Sequence, residues 1–218
     1  MPSDILHPDA LEIVDRRAEP YCRSECRSAS FKPPGRIRER AFLERHALNH
    51  VATALPHTTD LIDVVEIAPE LAFTFTRQDA SPELEAALER IEAADLLIIG
   101  TPISKGSYTG LLKHLLDLLT ASKSEDHVAI IAATDRGDCN SLLLEHSLRP
   151  LLSLLGYCTV PTAVYARDDD FVDLQVAEEA VIIRARRAVG EAFRVLGLDP
   201  PLNTLIANGD SFIASRWS

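Results

Sequence analysis

Two hydrophobic periods alternate along this chain, one typical of buried strands and the other of amphipathic helices. Short, continuous apolar runs predict strands at residues 61–67, 95–99, 127–133 and 158–165. Apolar residues spaced three or four positions apart predict helices at about residues 41–55, 81–94, 109–121, 139–155 and 172–196. Strands and helices that alternate with short connections are typical of a doubly wound parallel sheet with helices on both faces. We therefore predict an α/β fold with a sheet of about five strands.

Capping residues support one of the helix predictions, and an apolar face supports another. A serine, a proline and a glutamate in succession from Ser81 have the order that starts helices. The helix predicted at 109–121 carries leucines on one face, which we expect to be buried. Its other face carries Lys113, His114 and Asp117, which we expect to face solvent. The leucines are Leu111, Leu112, Leu115, Leu116 and Leu119.

The composition is that of one globular domain. The 218 residues are 46% hydrophobic and 25% charged, which is enough apolar material for one well-buried core. The formal net charge of −11 leaves no basic face dense enough to neutralise a row of phosphates, so we expect no nucleic-acid partner. Neither an apolar run of the roughly 20 residues that span a bilayer nor a signal-peptide pattern occurs. We therefore expect no membrane partner and a cytoplasmic location.

The cysteines and clustered acids do not predict a metal site. Cys22, Cys26, Cys139 and Cys158 are too scattered for a disulfide framework, and the first two would need further ligands to hold zinc. We expect free thiols. The three successive aspartates at 168–170 are expected to form a solvated loop, because successive side chains point in different directions and rarely converge on a cation.

The most informative segment comes directly after the strand predicted at 95–99. Residues 100–117 read Gly-Thr-Pro-Ile-Ser-Lys-Gly-Ser-Tyr-Thr-Gly-Leu-Leu-Lys-His-Leu-Leu-Asp, a strand end, a tight polar loop and an amphipathic helix. N–H groups at the carboxyl end of a parallel strand point toward a ligand and favour an anion or an acceptor-rich planar ring. A helix entry without a ligand is the alternative, but glycines on both sides of Ser-Tyr-Thr favour a ligand loop.

This segment resembles the NADPH-dependent FMN reductase family, in particular the flavin reductases that supply alkanesulfonate monooxygenases. The family has approximately Pro-Val-Tyr-Lys-Gly-Ser-Tyr-Thr-Gly-Leu-Leu-Lys at this place. The resemblance implies a flavodoxin-like fold and a cofactor-binding loop in which the amides of Ser107 and Tyr108 orient the flavin ring. Ser104 stands where the family usually has tyrosine, so one contact beside the flavin is expected to be lost. The implied cofactor-binding residues are Thr101, Pro102, Ile103, Ser104, Lys105, Gly106, Ser107 and Tyr108.

A second segment carries the resemblance after the strand predicted at 127–133. The family has approximately Ala-Thr-Gly-Gly-Ser-x-x-His in a loop whose backbone passes close to the isoalloxazine ring, and this chain has Ala-Thr-Asp-Arg-Gly from Ala133. Asp135 and Arg136 replace the two glycines, while Gly137 supplies a position that tolerates positive φ. The cofactor-binding residues implied here are Thr134, Asp135, Arg136 and Gly137.

Residues 145–151, Glu-His-Ser-Leu-Arg-Pro-Leu, resemble the family's Glu-His-x-Leu-Arg-Pro-Leu. Glu145 and His146 have the residue types of a catalytic pair. A helix residue beside leucines is more often a packing or dimer position, and we assign no catalytic residue. The resemblance covers about residues 47–195.

The N-terminal residues do not follow the pattern. A flavodoxin-like sheet has the spatial order 2-1-3-4-5, with an apolar first strand at its centre. Residues 19–27 occupy the expected place, and their two arginines and two glutamates would be costly to bury. Either the central strand comes from elsewhere in the chain or the first strand is degenerate. A shifted reading frame over residues 15–46 would also produce this departure.

The expected phosphate loop is depleted as well. In the family the first strand leads into Gly-Ser-x-Arg-x-Pro-Ser-x-Thr, and the nearest stretch here is Ala-Ser-Phe-Lys-Pro-Pro-Gly-Arg-Ile at 29–37. Ser30 and Lys32 are carried over as contacts to the FMN phosphate. We divide the chain into a degenerate N-terminal segment at 1–45, a flavodoxin-like reductase domain at 46–198 and a C-terminal tail at 199–218.

The resemblance implies an NAD(P)H-dependent FMN reductase that passes hydride from NADPH or NADH to FMN and supplies reduced flavin to a monooxygenase. It also implies a homodimer or tetramer with a neighbouring chain near the flavin. We expect part of the helix at 109–121, together with the helix around His146, to form the contact between subunits. Two alternatives stay open: a quinone or azo reductase of the same fold, and a flavodoxin-like protein that has lost flavin binding and serves as a subunit or scaffold.

Overall fold

The computed structural model describes residues 10–15, 58–121, 127–135, 141–172 and 175–198. For residues 10–15 the description covers the backbone and its pairing. Several predictions lie outside the described residues, namely those for Cys22, Cys26, Ser30, Lys32, Arg136, Gly137, Cys139, the helix at 41–55 and the tail at 199–218.

Six strands in the described residues form one sheet. Their order is β2-β1-β3-β4-β5, and β6 also pairs with β4. Strands β3 to β6 are parallel, whereas β1 is antiparallel to both β2 and β3. The order confirms the prediction of a doubly wound, flavodoxin-like sheet, and the direction of β1 departs from it. The strands are β1 Ala10–Asp15, β2 Thr58–Asp63, β3 Leu96–Pro102, β4 Val128–Asp135, β5 Cys158–Thr159 and β6 Val164–Arg167.

Strand β1 fills the central place in the sheet with residues from within the segment at 1–45. Leu11 pairs with Ile99, and Val14 pairs with Leu96. Because β1 runs against β3, its carboxyl end lies at the sheet edge opposite to Pro102. The central strand is therefore drawn from residues upstream of 19–27, and it does not lead directly into a loop at the carboxyl edge of β3.

Helices cover both faces of the sheet, as predicted. Two of them begin at side-chain caps, of which the one at Ser81 is predicted from the sequence: Ser81 Oγ accepts the N–H of Leu84 at 3.1 Å, and Thr109 Oγ1 accepts the N–H of Leu112 at 3.2 Å. No helix in the described ranges is long and apolar enough to cross a membrane. The helices are α1 Ala68–Leu71, α2 Pro82–Ala93, α3 Gly110–Asp117, α4 Ser141–His146, α5 Leu148–Leu154 and α6 Glu179–Val195.

Prolines break two elements that the pattern predicts as continuous. The helix expected at 139–155 is divided into α4 and α5, because Pro150 has no N–H to donate to the carbonyl of His146. The strand expected at 158–165 is divided into β5 and β6 on either side of Pro161. Both parts still pair with β4. The two prolines change where these elements begin and end, but they do not change the order of strands and helices.

Two further boundaries differ from the predictions. The strand expected at 61–67 ends at Asp63, whose Oδ1 accepts the N–H of Val65 at 2.9 Å and starts a turn. The helix expected at 172–196 begins only at Glu179. Before it come a 3₁₀ turn, Asp168–Asp170, and a hairpin of β7 Phe171–Val172 and β8 Gln175–Val176.

Two apolar layers bury both faces of the sheet. Leu97 and Ile99 of β3 face the layer that contains α2, α3 and α5. Leu96 and Ile98 face the layer that contains α6. All seven residues of β3 are buried, which explains why the sequence is apolar at successive rather than alternate positions.

Helix α3 buries its leucines within its own chain. Leu112, Leu115 and Leu116 are completely buried and Leu111 is half-buried. Lys113 and Asp117 form an ion pair on the exposed side, as expected. The prediction that His114 faces solvent is wrong, because the residue is half-buried and its Nε2 lies 3.0 Å from the Leu71 carbonyl and 2.8 Å from the Thr74 carbonyl.

Candidate functional site

The carboxyl ends of β3 and β4 lie side by side. Pro102 pairs with Thr134, and the N–H of Ile103 donates to the carbonyl of Thr134 at 2.8 Å. The loop that follows β3 is therefore attached at its base to the last residues of β4. The structure thus brings the predicted residues 101–108 together with Thr134 and Asp135 at one edge of the sheet.

A tight turn forms the tip of the loop after β3. Ser104 and Ser107 exchange backbone hydrogen bonds at 2.8 and 3.1 Å. Between them Lys105 has φ +51° and Gly106 has φ +83°. Positive φ at both central residues is typical of a type I′ turn, which fixes the direction of the backbone.

The hydrogen bonds of this turn decide which amides are free to bind a ligand. The N–H of Ser107 already donates to the carbonyl of Ser104 at 3.1 Å, so within the described residues it is engaged in the turn. The N–H groups of Lys105, Gly106 and Tyr108 have no partner among the described residues. Three donors are therefore available at or beside the turn.

Thr101 connects the end of β3 to the start of α3. Its side chain is completely buried, and Oγ1 accepts the N–H of Thr109 at 3.4 Å and donates to the carbonyl of Pro102 at 3.2 Å. Thr109 in turn caps α3. The Thr101 hydroxyl is thus engaged inside the chain, where it fixes the loop relative to the helix.

The two last residues of β4 differ in their partners. The side chain of Thr134 is buried, and its Oγ1 has no hydrogen-bond partner among the described residues. The carboxylate of Asp135 accepts a hydrogen bond from the Tyr165 hydroxyl, with 3.2 Å between the oxygens. Tyr165 lies on β6 and was not predicted from the sequence. Its position near the carboxyl end of β6, the strand beside β4, is the sequence feature that could have identified it.

The loop combines an apolar base with an exposed polar tip. Ile103 and Tyr108 pack against the core layer of α2 and α3, and partial burial raises the pKa of the Tyr108 phenol, which stays neutral near pH 7. Ser104, Lys105 and Gly106 are exposed. Lys105 forms no ion pair with any described residue. Donors, a cation and an apolar base suit an acceptor-rich ring that carries an anionic group.

Glu145 and His146 do not form a catalytic pair in the described structure. Glu145 makes a two-point ion pair with Arg149, which lowers the pKa of the Glu145 carboxyl. Arg149 also donates to Thr159 Oγ1 at 2.8 Å and to the carbonyl of Val160 at 2.7 Å. The pair therefore fastens α4 and α5 to the end of β5, and His146 is exposed at the end of α4.

Asp170 corrects another prediction, that of a solvated loop at 168–170. Its side chain is buried, with 7% of the residue exposed, and its Oδ2 accepts the N–H of Arg167 at 2.7 Å. The Asp170 carbonyl also accepts the N–H of Ala177 at 2.8 Å. The residue thus organises the turn before α6. In the part of the chain that the structure describes, no group of three His, Cys, Asp or Glu side chains is placed to hold a metal, and Cys158 has a free, exposed thiol.

Comparison with known proteins gives consistent matches over most of the chain. A family model described as NADPH-dependent FMN reductase matches residues 38–171. The chain is 39% identical over 155 residues to the NADH-dependent FMN reductase SfnF of Pseudomonas fluorescens, covering 71% of this chain and 83% of that protein. It is 37% identical over 155 residues, with the same coverage, to the FMN reductase (NADPH) of Pseudomonas aeruginosa.

Solved structures agree with these sequence matches. The apo form of the NADH:FMN oxidoreductase EMOB superposes with a TM-score of 0.62 at 30% identity, covering 79% of this chain and 89% of that chain. An oxidoreductase from Corynebacterium diphtheriae superposes with a TM-score of 0.59 at 30% identity, covering 78% and 93%. The family match begins at residue 38, directly after the depleted phosphate-loop stretch at 29–37.

Proposed function

The chain belongs to the NADPH-dependent FMN reductase family, and on that premise we propose that the loop after β3 and the last residues of β4 form its flavin site. The protein is an enzyme, an NAD(P)H-dependent FMN reductase with a flavodoxin-like fold. The observation that carries the site is the turn at 104–107, whose N–H groups at Lys105 and Gly106 have no partner among the described residues and stand beside an apolar base at the carboxyl edge of the sheet. Ligands of open α/β sheets bind at this edge.

The residues of this edge fit FMN by their chemistry. Bound FMN supplies the ring that accepts the hydride. The N–H groups of Lys105, Gly106 and Tyr108 are available to its acceptor atoms, and the Lys105 ammonium is available to its negative charge. Ile103 and the neutral phenol of Tyr108 offer apolar surface beside the ring. No side chain at this edge has to transfer a proton for the hydride to move.

The turn contributes to the reaction because its donors are already fixed. Reduction adds negative charge to the flavin, and fixed N–H groups stabilise such charge without the cost of reorganisation. The Ser104–Ser107 hydrogen bonds and the attachment of Ile103 to Thr134 hold these donors in place. Thr101 fixes the loop from the other side through the start of α3. The protein thus contributes the placement of the cofactor and the charge around it, while the cofactors supply the redox chemistry.

Lys105 is proposed to contact a phosphate of the nicotinamide cofactor as well as the flavin. It is an exposed cation in a chain of net charge −11, and it is held at the tip of the turn. Relatives are named for NADH and for NADPH. We further propose that the enzyme acts in the cytoplasm and that reduced flavin leaves past the exposed tip to a monooxygenase.

A homodimer is proposed to form through residues other than the leucines of α3, because Leu112, Leu115 and Leu116 are completely buried in the chain's own core. Phe73 and Phe75 are 82% and 81% exposed, which is unusual for neighbouring aromatic residues on a surface. Thr74 between them is buried, and its carbonyl lies 2.8 Å from His114 Nε2 of α3. His114 thus holds the backbone so that both rings project outward toward a second copy of the chain.

The proposed function is tested by steady-state oxidation of NADH and NADPH, followed by the loss of nicotinamide absorbance. We expect oxidation to depend on added FMN and to saturate with it. In the matched variant Lys105→Gln, position 105 must still adopt a positive φ, but its positive charge is removed. We expect a higher KM for the nicotinamide cofactor. Oxidation that is absent at every FMN concentration would contradict the proposal.

A further inference from the structure

The reversed direction of β1 changes which groups stand at one side of the proposed flavin site. Flavodoxin-like sheets bind FMN at the switch point between the first and third strands, outside their carboxyl ends. In this chain the carboxyl end of β1, Asp15, pairs with Thr58 at the start of β2, and β2 runs in the same direction as β3. Asp15 therefore lies at the edge of the sheet opposite to the turn after β3. The end of β1 that lies beside the end of β3 is its amino end, where Ala10 pairs with Gly100.

The connection that follows β1 starts at the wrong edge for a phosphate loop. In the family the first strand leads directly into that loop. Here the sequence that joins β1 to β2 leaves the sheet at Asp15 and returns to it at Thr58, both at the opposite edge. The stretch 29–37, with the expected phosphate contacts Ser30 and Lys32, belongs to this connection. The strand pairing therefore does not deliver a loop from the carboxyl end of β1 to the switch point.

The described residues beside Ala10 at this edge carry carboxylates. β2 ends at Asp63, which pairs with Ala10, and in the turn that follows the N–H of Glu66 donates to the Asp63 carbonyl at 3.0 Å. Two strand spacings place Asp63 about 10 Å from Gly100, across β1. Glu66 is exposed, and its side chain forms no hydrogen bond or ion pair with any described residue. Among the described residues, a phosphate on this side of the site would meet negative charge rather than cations.

The turn that carries Lys105 is attached on the other side of β3. The N–H of Ile103 donates to the carbonyl of Thr134 on β4, and β1 lies on the opposite side of β3 from β4. The turn therefore offers its N–H groups, and the loop its apolar base, on the side of β3 away from the β1 switch point. These groups suit the ring of a flavin and do not require its phosphate.

We propose that the site selects a flavin by its isoalloxazine ring, so that riboflavin, which lacks the phosphate, binds and is reduced as well as FMN. The inference rests on the proposed function and adds to it the substrate class, which is flavins irrespective of their phosphate. In either case the nicotinamide loses a hydride and the ring gains it, so the phosphate takes no part in the reaction. A flavin held in this way lacks the charge-assisted hydrogen bonds of a phosphate loop, each of which strengthens binding about tenfold or more. It is therefore exchanged as a substrate rather than retained.

The first test compares the Kd values of the two flavins for the unmodified protein, measured by fluorescence quenching. We expect FMN to bind no more than about threefold more tightly than riboflavin. The KM values of the two flavins in NADH oxidation should agree within the same factor.

A charge reversal tests where the phosphate lies. Glu66→Lys places a cation at the exposed turn after β2, and we expect it to lower the Kd for FMN about threefold at low salt while the Kd for riboflavin stays unchanged. Glu89→Lys is the matched control, because Glu89 is exposed on the half of α2 that leads to the start of β3 at the opposite edge. It makes the same change in net charge and is expected to alter neither Kd.

The outcomes separate this inference from the proposed function. An unmodified protein that binds FMN more than about threefold more tightly than riboflavin recognises the phosphate, which would overturn the inference and leave the reductase site in place. A Glu66→Lys protein whose preference between the two flavins is unchanged would show that the phosphate lies elsewhere, and this too would overturn the inference. An unmodified protein that binds neither flavin would overturn both the inference and the proposed function.

Discussion

Replacement of Gly106 by valine tests the geometry of the turn after β3. Gly106 has φ +83°, and a Cβ placed on it meets no atom within 4 Å. The cost of a side chain is therefore conformational rather than steric. A left-handed backbone costs an L-residue about 1–2 kcal/mol, and a β-branched residue lies at the upper end of this range.

The turn can limit this conformational cost by changing its type. It is exposed and is closed by the two backbone hydrogen bonds between Ser104 and Ser107, so it can change type without disturbing the core. We therefore expect the FMN-free variant to lose no more than about 2 kcal/mol of unfolding free energy. A change of turn type moves the free N–H groups of Lys105 and Gly106. We expect FMN binding to weaken by about 1–3 kcal/mol, which is roughly a 5- to 150-fold rise in Kd.

The measurements are urea unfolding without ligand and fluorescence titration with FMN. Gly110→Ala is the matched control, because Gly110 has no positive φ, its Cβ would meet nothing within 4 Å, and it begins α3. Alanine there is expected to leave the Kd within about twofold and to raise stability by up to about 1 kcal/mol. A Gly106→Val protein that loses stability but binds FMN as before would refute the role of the turn in binding.

Three further variants examine the turn, the surface and one ion pair. Lys105→Asn places a residue that tolerates positive φ at the first central position of the turn. The unfolding free energy is expected to rise by about 0.5–1 kcal/mol, and the KM for NAD(P)H is expected to increase. A less stable variant would contradict the turn geometry. Phe73→Ser combined with Phe75→Ser is expected to shift the mass in light scattering to that of one chain, and an unchanged mass excludes this surface as the dimer contact. Glu145→Gln removes a carboxyl whose pKa is lowered by Arg149. Its stabilising effect is complete above the unfolded pKa of about 4.3 and is lost as pH falls through the lower folded pKa. After allowance for solvent screening, the variant should be about 0.5–1 kcal/mol less stable at pH 7, and this difference in urea unfolding should shrink as the pH falls below about 4.3. A difference that stays constant into acid contradicts the assignment.

Structural features that depend on residues close together in the chain agree well with the predictions from the sequence. The cap predicted at Ser81 accepts the N–H of Leu84, because capping depends on residues three apart in the chain. The buried leucines of α3 and the apolar core strands agree for the same reason. The meeting of the loops after β3 and β4 at one edge of the sheet also follows from strand order alone, since the loops after adjacent parallel strands emerge together.

Contacts between distant residues could not be predicted in this way. His114 lies on the polar face of α3, yet its Nε2 lies 3.0 Å from the carbonyl of Leu71, which is far away in sequence. Asp170 is buried because its carboxylate and carbonyl serve the backbone on both sides of a turn. The choice of residues 10–15 as the central strand and its antiparallel direction depend on sheet pairing, which a single apolar run does not specify.

The central claim, that FMN binds at the turn after β3 and the end of β4, is tested most directly by amide hydrogen exchange with and without FMN. We predict that FMN slows exchange at Lys105, Gly106 and Tyr108, whose N–H groups have no partner among the described residues. Ser107, whose N–H already donates to Ser104, should change less and serves as the internal reference. Saturating FMN that leaves the exchange of all three free amides unchanged would contradict the account.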